Sequence, residues 1–445
     1  MNQSHSSPCL QRRLLSGGTT LALALGSLLS PILITPVTAS SLEDNPKALV
    51  DQVWQIVNSE YVAADFNHAD WKTKRQDLLN RNYDNHKQAH KAIRNALKDL
   101  GDVYTRFLPP QEFSALTSQT SGEASGVGLR LAIHKRTSDL IVVDAIRNSP
   151  AMNAGIRRGD RIIRIDGKPT ALMTLEQATE AIQGEIETEV SLQVARREKR
   201  RNNIFEVTLV RSQIEIPSVT FNLKQEGQMR IGYIRLDEFS SHAAEQMKAA
   251  ISDLQKKQVS GFVLDLRGNP GGLLFSSVDI ARMWMERGDI VKTVDRKGGD
   301  RNFSANGKAL TNLPLVILIN RGSASASEIL ASALQENGRA TLIGTRTYGK
   351  GTVQSVHSLP DGSGLAVTIA RYFPPSGQDI NDKGIAPDVH LNLTKEQSLR
   401  LRQDPSLMGT SSDPQYRRAV SVLRTRYSVT PALPEPIGIR LEESF

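Results

Sequence analysis

Four short apolar runs, Ile231–Leu236, Gly261–Leu266, Leu313–Ile319 and Ala340–Gly344, narrow the possible folds of this chain more than any other feature. Each is almost continuously apolar and rich in β-branched residues. A strand buried on both faces reads this way, whereas a half-exposed strand alternates. Stretches with helical spacing lie between them, at Ala243–Leu254, Phe275–Met285 and Ser325–Gln335. Strand–helix alternation specifies a mostly parallel sheet with helices on its faces. The expectation is an α/β core over residues 213–400. The rest, 401–445, contains one expected helix, Asp413–Tyr427, and otherwise reads as irregular.

The preceding segments differ in character, so the chain reads as multi-domain. Residues 46–115 are expected to be helical. Val50, Val53, Trp54 and Val57 recur at helical spacing, as do Ile93, Leu97 and Leu100, and Pro109-Pro110 is expected to close the segment. Residues 120–212 carry short β runs at Val127–Ile133, Leu140–Ile146, Arg161–Ile165 and Val190–Val194, with a helix expected at Thr174–Ile182. Ile165-Asp-Gly-Lys-Pro169 is a hairpin signal, and Ser149 to Gly155 reads as a short capped helix ending at glycine.

Composition excludes some classes. With 445 residues, a net charge of +8 and 39% apolar content, the chain resembles an ordinary soluble protein of several domains. Its one dense basic run, Arg196 to Arg201, lies between two strands and reads as a solvated hairpin tip, not a nucleic-acid surface. Residues 1–39 contain no acid. Arg12 and Arg13 precede a broken apolar stretch from Leu21 to Ile34, and small residues follow at Val37-Thr38-Ala39. This is a secretory signal peptide, read as Sec-type despite the paired arginines. The only cysteine, Cys9, falls within it. The mature chain then has no disulfide, no thiol nucleophile and no cysteine metal site. The histidines form no metal-ligand pattern, so no metal is expected.

Three loop motifs follow the core strands. Arg321-Gly-Ser-Ala-Ser-Ala-Ser-Glu328 leads into a helix, and a serine there sits near a helix N-terminus that favours negative charge. Capping and close packing are the competing roles for Ser323, Ser325 and Ser327 alike. The N–H of Ala326 would stabilise an oxyanion beside Ser325. In Asp265-Leu-Arg-Gly-Asn-Pro-Gly-Gly272, the glycines Gly271 and Gly272 let backbone N–H groups face a substrate, while Asp265 and Arg267 read equally as a structural ion pair. Tyr348-Gly-Lys-Gly-Thr-Val-Gln354 opens a strand on which Lys350, Thr352 and Gln354 point the same way. The Gln354 carbonyl can then hold the Lys350 amine. A desolvated lysine can deprotonate a serine. Gly344 to Lys350 nearly spells a phosphate loop, but Gly351 stands where the magnesium ligand belongs and a strand follows. A Ser–His–Asp arrangement through His357 or His390 is the competing mechanism.

Together these motifs resemble those of the carboxyl-terminal-processing, or tail-specific, proteases, in order and in the 25-residue interval from Ser325 to Lys350. The resemblance runs from about residue 48 to 392 and includes Asp102-Val-Tyr-Thr-Arg-Phe-Leu108. It implies a serine endopeptidase without cofactors, whose core resembles the crotonase/ClpP-like fold. Ser325 becomes the nucleophile, Lys350 the general base and Gln354 its orienter. It also implies a PDZ domain over 120–212, with Gly126, Val127, Gly128 and Leu129 as the loop that captures a free apolar C-terminus while the peptide adds as a strand. The partners are protein substrates, not nucleic acid, and peripheral membrane association is compatible with this. The implied location is exported, in a periplasm or thylakoid lumen. Cyanobacterial and chloroplast members look most similar, some of which trim the precursor of a photosystem II reaction-centre protein. The contrasting possibility is an inactive PDZ-bearing scaffold.

Overall fold

The computed structural model describes residues 45–66, 69–134, 136–198 and 201–429, without the side chains of 201, 202 and 426–429. The expected leader over 1–39 lies outside the described residues.

Helices α1 (Pro46–Glu60), α2 (Trp71–Asn80) and α3 (His86–Lys98) open the chain. Asn45, Asp70 and Asn85 cap them, each side chain satisfying an otherwise free N–H. The expected stripes share one core, Val50, Val53 and Val57 with Ile93, Leu97 and Leu100. The segment does not end as expected. Strand β1 (Arg106–Leu108) follows, and Pro109-Pro110 begins helix α4 (Pro110–Ser121). Proline is tolerated there because the first helical N–H has no partner in any case.

A small β unit comes next. Strand β2 (Glu123–Gly126) enters it. Then come β3 (Leu129–Ile133), β4 (Leu140–Ala145), α5 (Pro150–Asn153), β5 (Arg161–Ile165), β6 (Lys168–Pro169), α6 (Leu175–Ile182), β7 (Glu189–Glu198) and β8 (Arg201–Val210). Strand β9 (Ser212–Glu215) leaves beside β2. The sheet order is β3-β4-β5-β7-β8, so β3 is an edge, and α6 packs against it. Asp166 and Gly167 take φ of 48° and 74°, the paired left-handed turn that closes a tight hairpin. Arg196 departs from the expected solvated tip. Its guanidinium grips Asp160 at 2.8 Å, while Arg197 and Glu198 beyond it are exposed.

The alternation expected from residue 213 is present. It runs β10 (Val219–Glu226), β11 (Met229–Leu236), α7 (Ala243–Lys256), β12 (Gly261–Asp265), α8 (Leu274–Trp284), β13 (Asp289–Asp295), β14 (Asp300–Ser304), β15 (Leu315–Ile319), α9 (Ala326–Glu336) and β16 (Ala340–Gly344). It ends with β17 (Thr352–Ser358), β18 (Gly364–Phe373), β19 (Val389–His390), α10 (Lys395–Gln403) and α11 (Pro414–Val429). The main sheet has order β10-β11-β12-β15-β16-β19, parallel throughout except for β10. Phe262, Leu264 and Ile317 face the layer of α7, α8 and α9, while Val263, Val316 and Leu318 face Tyr416, Ala419 and Leu423 of α11. Alternate side chains therefore enter two apolar layers, which is why these strands read as continuous runs. The tail expected to be mostly irregular supplies one of those layers through α11, while α10 straddles the expected boundary at residue 400.

A second, antiparallel sheet was not foreseen. Its order is β1-β18-β13-β14, with β17 on the other side of β18. Among the described residues no helix is long and apolar enough to cross a membrane.

Candidate active site

Three loops at the C-terminal ends of β12, β15 and β16 meet, the place where parallel sheets bind ligands. The first begins with a buried network. The Arg267 guanidinium contacts Asp265 at 2.5 Å and Asp413 at 2.7 Å, and the Tyr233 hydroxyl donates to Asp265 at 2.6 Å. Asp265 and Arg267 are thus a structural pair that ties the loop to the start of α11. Its buried charges hold Asp265 below the usual carboxylate range against the opposing pull of burial.

Asn269 organises the rest of this loop. Its amide donates to the Leu236 carbonyl at 2.9 Å, and its own carbonyl accepts from the Ala324 N–H and the Ser327 hydroxyl, each at 3.0 Å. Its side-chain oxygen accepts the Gly271 N–H at 2.9 Å. That bond corrects the expectation for Gly271, whose N–H is occupied. Glycine is required there for another reason. A Cβ at φ +104° would lie 2.9 Å from the Ser325 Cβ and 3.0 Å from the Ala326 nitrogen. Gly272 is equally constrained, since a Cβ would lie 2.4 Å from the Phe239 carbonyl oxygen.

The second loop separates the three serines. The Ser323 hydroxyl is buried and donates to the Leu266 carbonyl at 2.7 Å. Ser327 is buried and bonded to Asn269. Both therefore hold the loop. Ser325 alone of the three lines a cavity, at φ 55° and ψ −116°, at the cap of α9. That backbone is strained for a residue with a Cβ, and nucleophiles at sharp strand-to-helix turns share this trait.

The third loop is joined to the second by Glu328, which is fully buried. Its carboxylate accepts the N–H groups of Ser325 at 2.8 Å, Lys350 at 2.9 Å and Gly349 at 2.7 Å, and the Thr347 hydroxyl at 2.6 Å. The buried Tyr372 hydroxyl reaches the carbonyl oxygens of both Ser325 and Lys350. Sequence reading missed both residues. The only local signal was a glutamate three residues into a serine-capped helix.

The cavity, about 540 Å³, is lined by Ser325, Lys350 and Gln354 together with Gly271, Gly272 and Ala326. All six candidate residues thus share one space. The Lys350 amine sits 4.8 Å from the centre of the Tyr104 ring. Burial pushes its pKa down, the Arg106 charge adds to that, and Asp102 and Glu328 oppose it. Tyr104 and Arg106 belong to the segment Asp102–Leu108, whose turn is pinned by Asp102 accepting the Tyr104 N–H at 2.9 Å. The Gln354 amide donates to Thr352 at 2.9 Å, which leaves its side-chain oxygen as the end available to an amine. His357 and His390 are not among the residues that line this cavity. One nitrogen of His357 faces both Ser355 at 2.6 Å and Glu60 at 2.9 Å, so the ring does not bridge two partners as a relay would.

Elsewhere, Gly126, Val127, Gly128 and Leu129 form the connection from β2 into the edge strand β3. Val127 is buried, its carbonyl accepts the Ala151 N–H at 3.0 Å, and a Cβ at Gly128 would lie 2.2 Å from the Ser149 Cβ. The loop leads into β3 beside the end of α6, where a Cβ at Gly126 would lie 3.8 Å from the Ile182 carbonyl oxygen.

Known proteins resemble this chain over nearly all of it. Residues 230–391 match peptidase family S41 and residues 141–196 match the PDZ domain. A carboxyl-terminal-processing protease of Picosynechococcus is 39% identical over 417 residues, covering 93% of this chain and 97% of that protein. A chloroplastic C-terminal processing peptidase of Tetradesmus obliquus is 38% identical, covering 77% and 76%. A solved photosystem II D1 C-terminal processing protease is 36% identical with a TM-score of 0.52, covering 84% of this chain and 99% of that one.

Proposed function

Because this chain belongs to the carboxyl-terminal-processing proteases, serine-type peptidases that act on proteins, we propose that Ser325 and Lys350 are its catalytic pair. One observation carries the reading. The strained Ser325, the desolvated Lys350 and the glycine turn line a single cavity. Neutral Lys350 takes the Ser325 proton as the hydroxyl oxygen attacks the scissile carbonyl. The resulting oxyanion is held by the N–H groups of Gly272 and Ala326, with Gly271 giving the space its missing Cβ leaves. Lys350 then returns the proton to the departing amine. The acyl-enzyme is hydrolysed by a water that Lys350 deprotonates in turn. Gln354 holds the amine through its side-chain oxygen.

The β unit over 120–212 acts as the tail reader. An apolar C-terminus adds beside β3, its carboxylate at Gly126–Leu129. The protein is exported, and its substrates are proteins with C-terminal extensions, such as the photosystem II D1 protein for which the solved relative is named.

Incubating purified protein with a disordered substrate bearing an apolar tail tests the chemistry. Ser325→Ala and Lys350→Ala abolish cleavage, and Ser323→Ala is milder. Near-normal cleavage by Lys350→Ala removes the pair from consideration. The precursor that accumulates in a deletion strain identifies the substrate.

A further inference from the structure

Charge within the cavity is unevenly placed. Arg106 and Lys350 belong to the wall built on the antiparallel sheet. Glu238 belongs to the loop that braces the glycine turn, and it is the one acid among the lining residues. Its backbone is fixed, because the next residue, Phe239, donates to the Gly271 carbonyl at 2.9 Å and accepts the Leu273 N–H at 2.8 Å. The carboxyl meets the neutral amide of Gln119 on α4, and its acidic neighbour Asp237 is already paired with Arg235 at 2.6 Å. Among the described residues no lysine, arginine or histidine forms an ion pair with Glu238. Burial pushes its pKa up and Asp237 pushes it further, against the Gln119 bond.

A partly desolvated carboxylate without a counter-ion costs stability, so its place in a reactive cavity marks it for a ligand. The two cations across the cavity do not serve. The proposed reaction uses Lys350 as a neutral base, and Arg106 forms no ion pair with Glu238 among the described residues. We infer that Glu238 is a specificity residue that favours protein substrates carrying a lysine or arginine close to the scissile bond. This rests on Ser325 being the nucleophile of the same cavity.

The test uses the full chain and disordered substrates with identical tails, with Lys, Gln or Glu placed in turn at each position flanking the cut. At one position Lys is favoured over Glu in kcat/KM by about tenfold, the effect of about 1.4 kcal/mol expected of a pair between exposed and buried limits. Added salt shrinks that ratio. Glu238→Gln removes it and Glu238→Lys inverts it, a gain on Glu substrates that misfolding cannot produce. Cleavage without charge preference at any position overturns the inference while leaving the nucleophile intact. So does an equal loss on all three substrates in Glu238→Gln, which indicates a contact with the peptide backbone. If wild type cleaves none of them, the reading of Ser325 falls and takes this inference with it.

Discussion

Replacing Glu328 by glutamine changes one atom type and no volume, yet four donors converge on that carboxylate. Glutamine offers one acceptor oxygen and one NH2 group, so one side of the site must face donor against donor. If the NH2 replaces Oε2, the N–H groups of Ser325 and Lys350 both lose their acceptor. If it replaces Oε1, Gly349 loses its acceptor, and the Thr347 hydroxyl must turn while still accepting the Ile385 N–H at 2.6 Å. The second arrangement is cheaper. It leaves one buried N–H unpaired, at about 1–3 kcal/mol, and weakens the remaining bonds from charged to neutral strength. The neutral side chain recovers some desolvation energy, which leaves a net loss of about 3 kcal/mol. If all of it is felt as misplacement of the catalytic pair, kcat falls by about a hundredfold. Glu328→Ala, which unpairs three N–H groups, falls further. Single-turnover cleavage of a tailed peptide, with urea unfolding in parallel, gives both quantities. A Glu328→Gln variant with kcat within twofold of wild type and an unchanged unfolding midpoint refutes the reasoning.

Three further outcomes follow from the same geometry. Arg106 is a cation that disfavours charge on Lys350, so Arg106→Gln raises the lysine pKa and moves the rising limb of the pH–rate profile to higher pH, measured as kcat against pH; an unmoved limb removes Arg106 from the tuning. The folded Lys350 pKa lies below its ordinary 10.5, so the native state binds fewer protons than the unfolded chain between the two values. The lysine therefore costs stability that is fully present below the folded pKa and fades as pH rises toward 10.5, and Lys350→Met gives an inactive protein with a higher unfolding midpoint at neutral pH. Asp413→Asn breaks the buried bidentate contact to Arg267 at 3.1 and 2.7 Å, costing about 3 kcal/mol in urea unfolding and lowering kcat through the loop that carries the glycine turn; unchanged stability contradicts the clamp.

What could be read in the sequence was whatever had a local cause. β12, β15 and β16 are buried on both faces, so their identity is written in consecutive residues. The tight turn at Asp166-Gly167 and the capped helix α6 depend on neighbours within four positions. The antiparallel sheet has no such cause. β1 is three residues long and exists because it pairs with β18, more than 250 residues away, in the register Phe107 to Leu365. Helix α4 buries no residue fully, so it carries no periodic stripe and its prolines read as a stop. The same division runs through the site. Lys350 and the glycine turn were visible as motifs, whereas the choice of Ser325 over its neighbours comes from hydroxyl partners at Leu266 and Asn269, contributed by another strand's loop.

The non-local contacts also explain how one chain can lower a lysine pKa within the cavity that Ser325 lines. Desolvation alone would push Lys350 outward, because a flexible ammonium escapes to water more cheaply than it loses its proton. The loop denies that escape. Glu328 fixes the backbone N–H of Lys350, Tyr372 engages its carbonyl, and the Tyr104 ring lies against its amine. Glu328 and Tyr372 also grip the N–H and carbonyl of Ser325. The two backbones are therefore positioned by shared buried groups, and a displacement of one is transmitted to the other. The cost is a buried carboxylate, a strained serine and an amine forced toward neutrality in one small volume. The stability to carry it comes from the doubly covered sheet behind the loops, which is why α11, outside the span that matches the peptidase family, supports the candidate site in energetic terms.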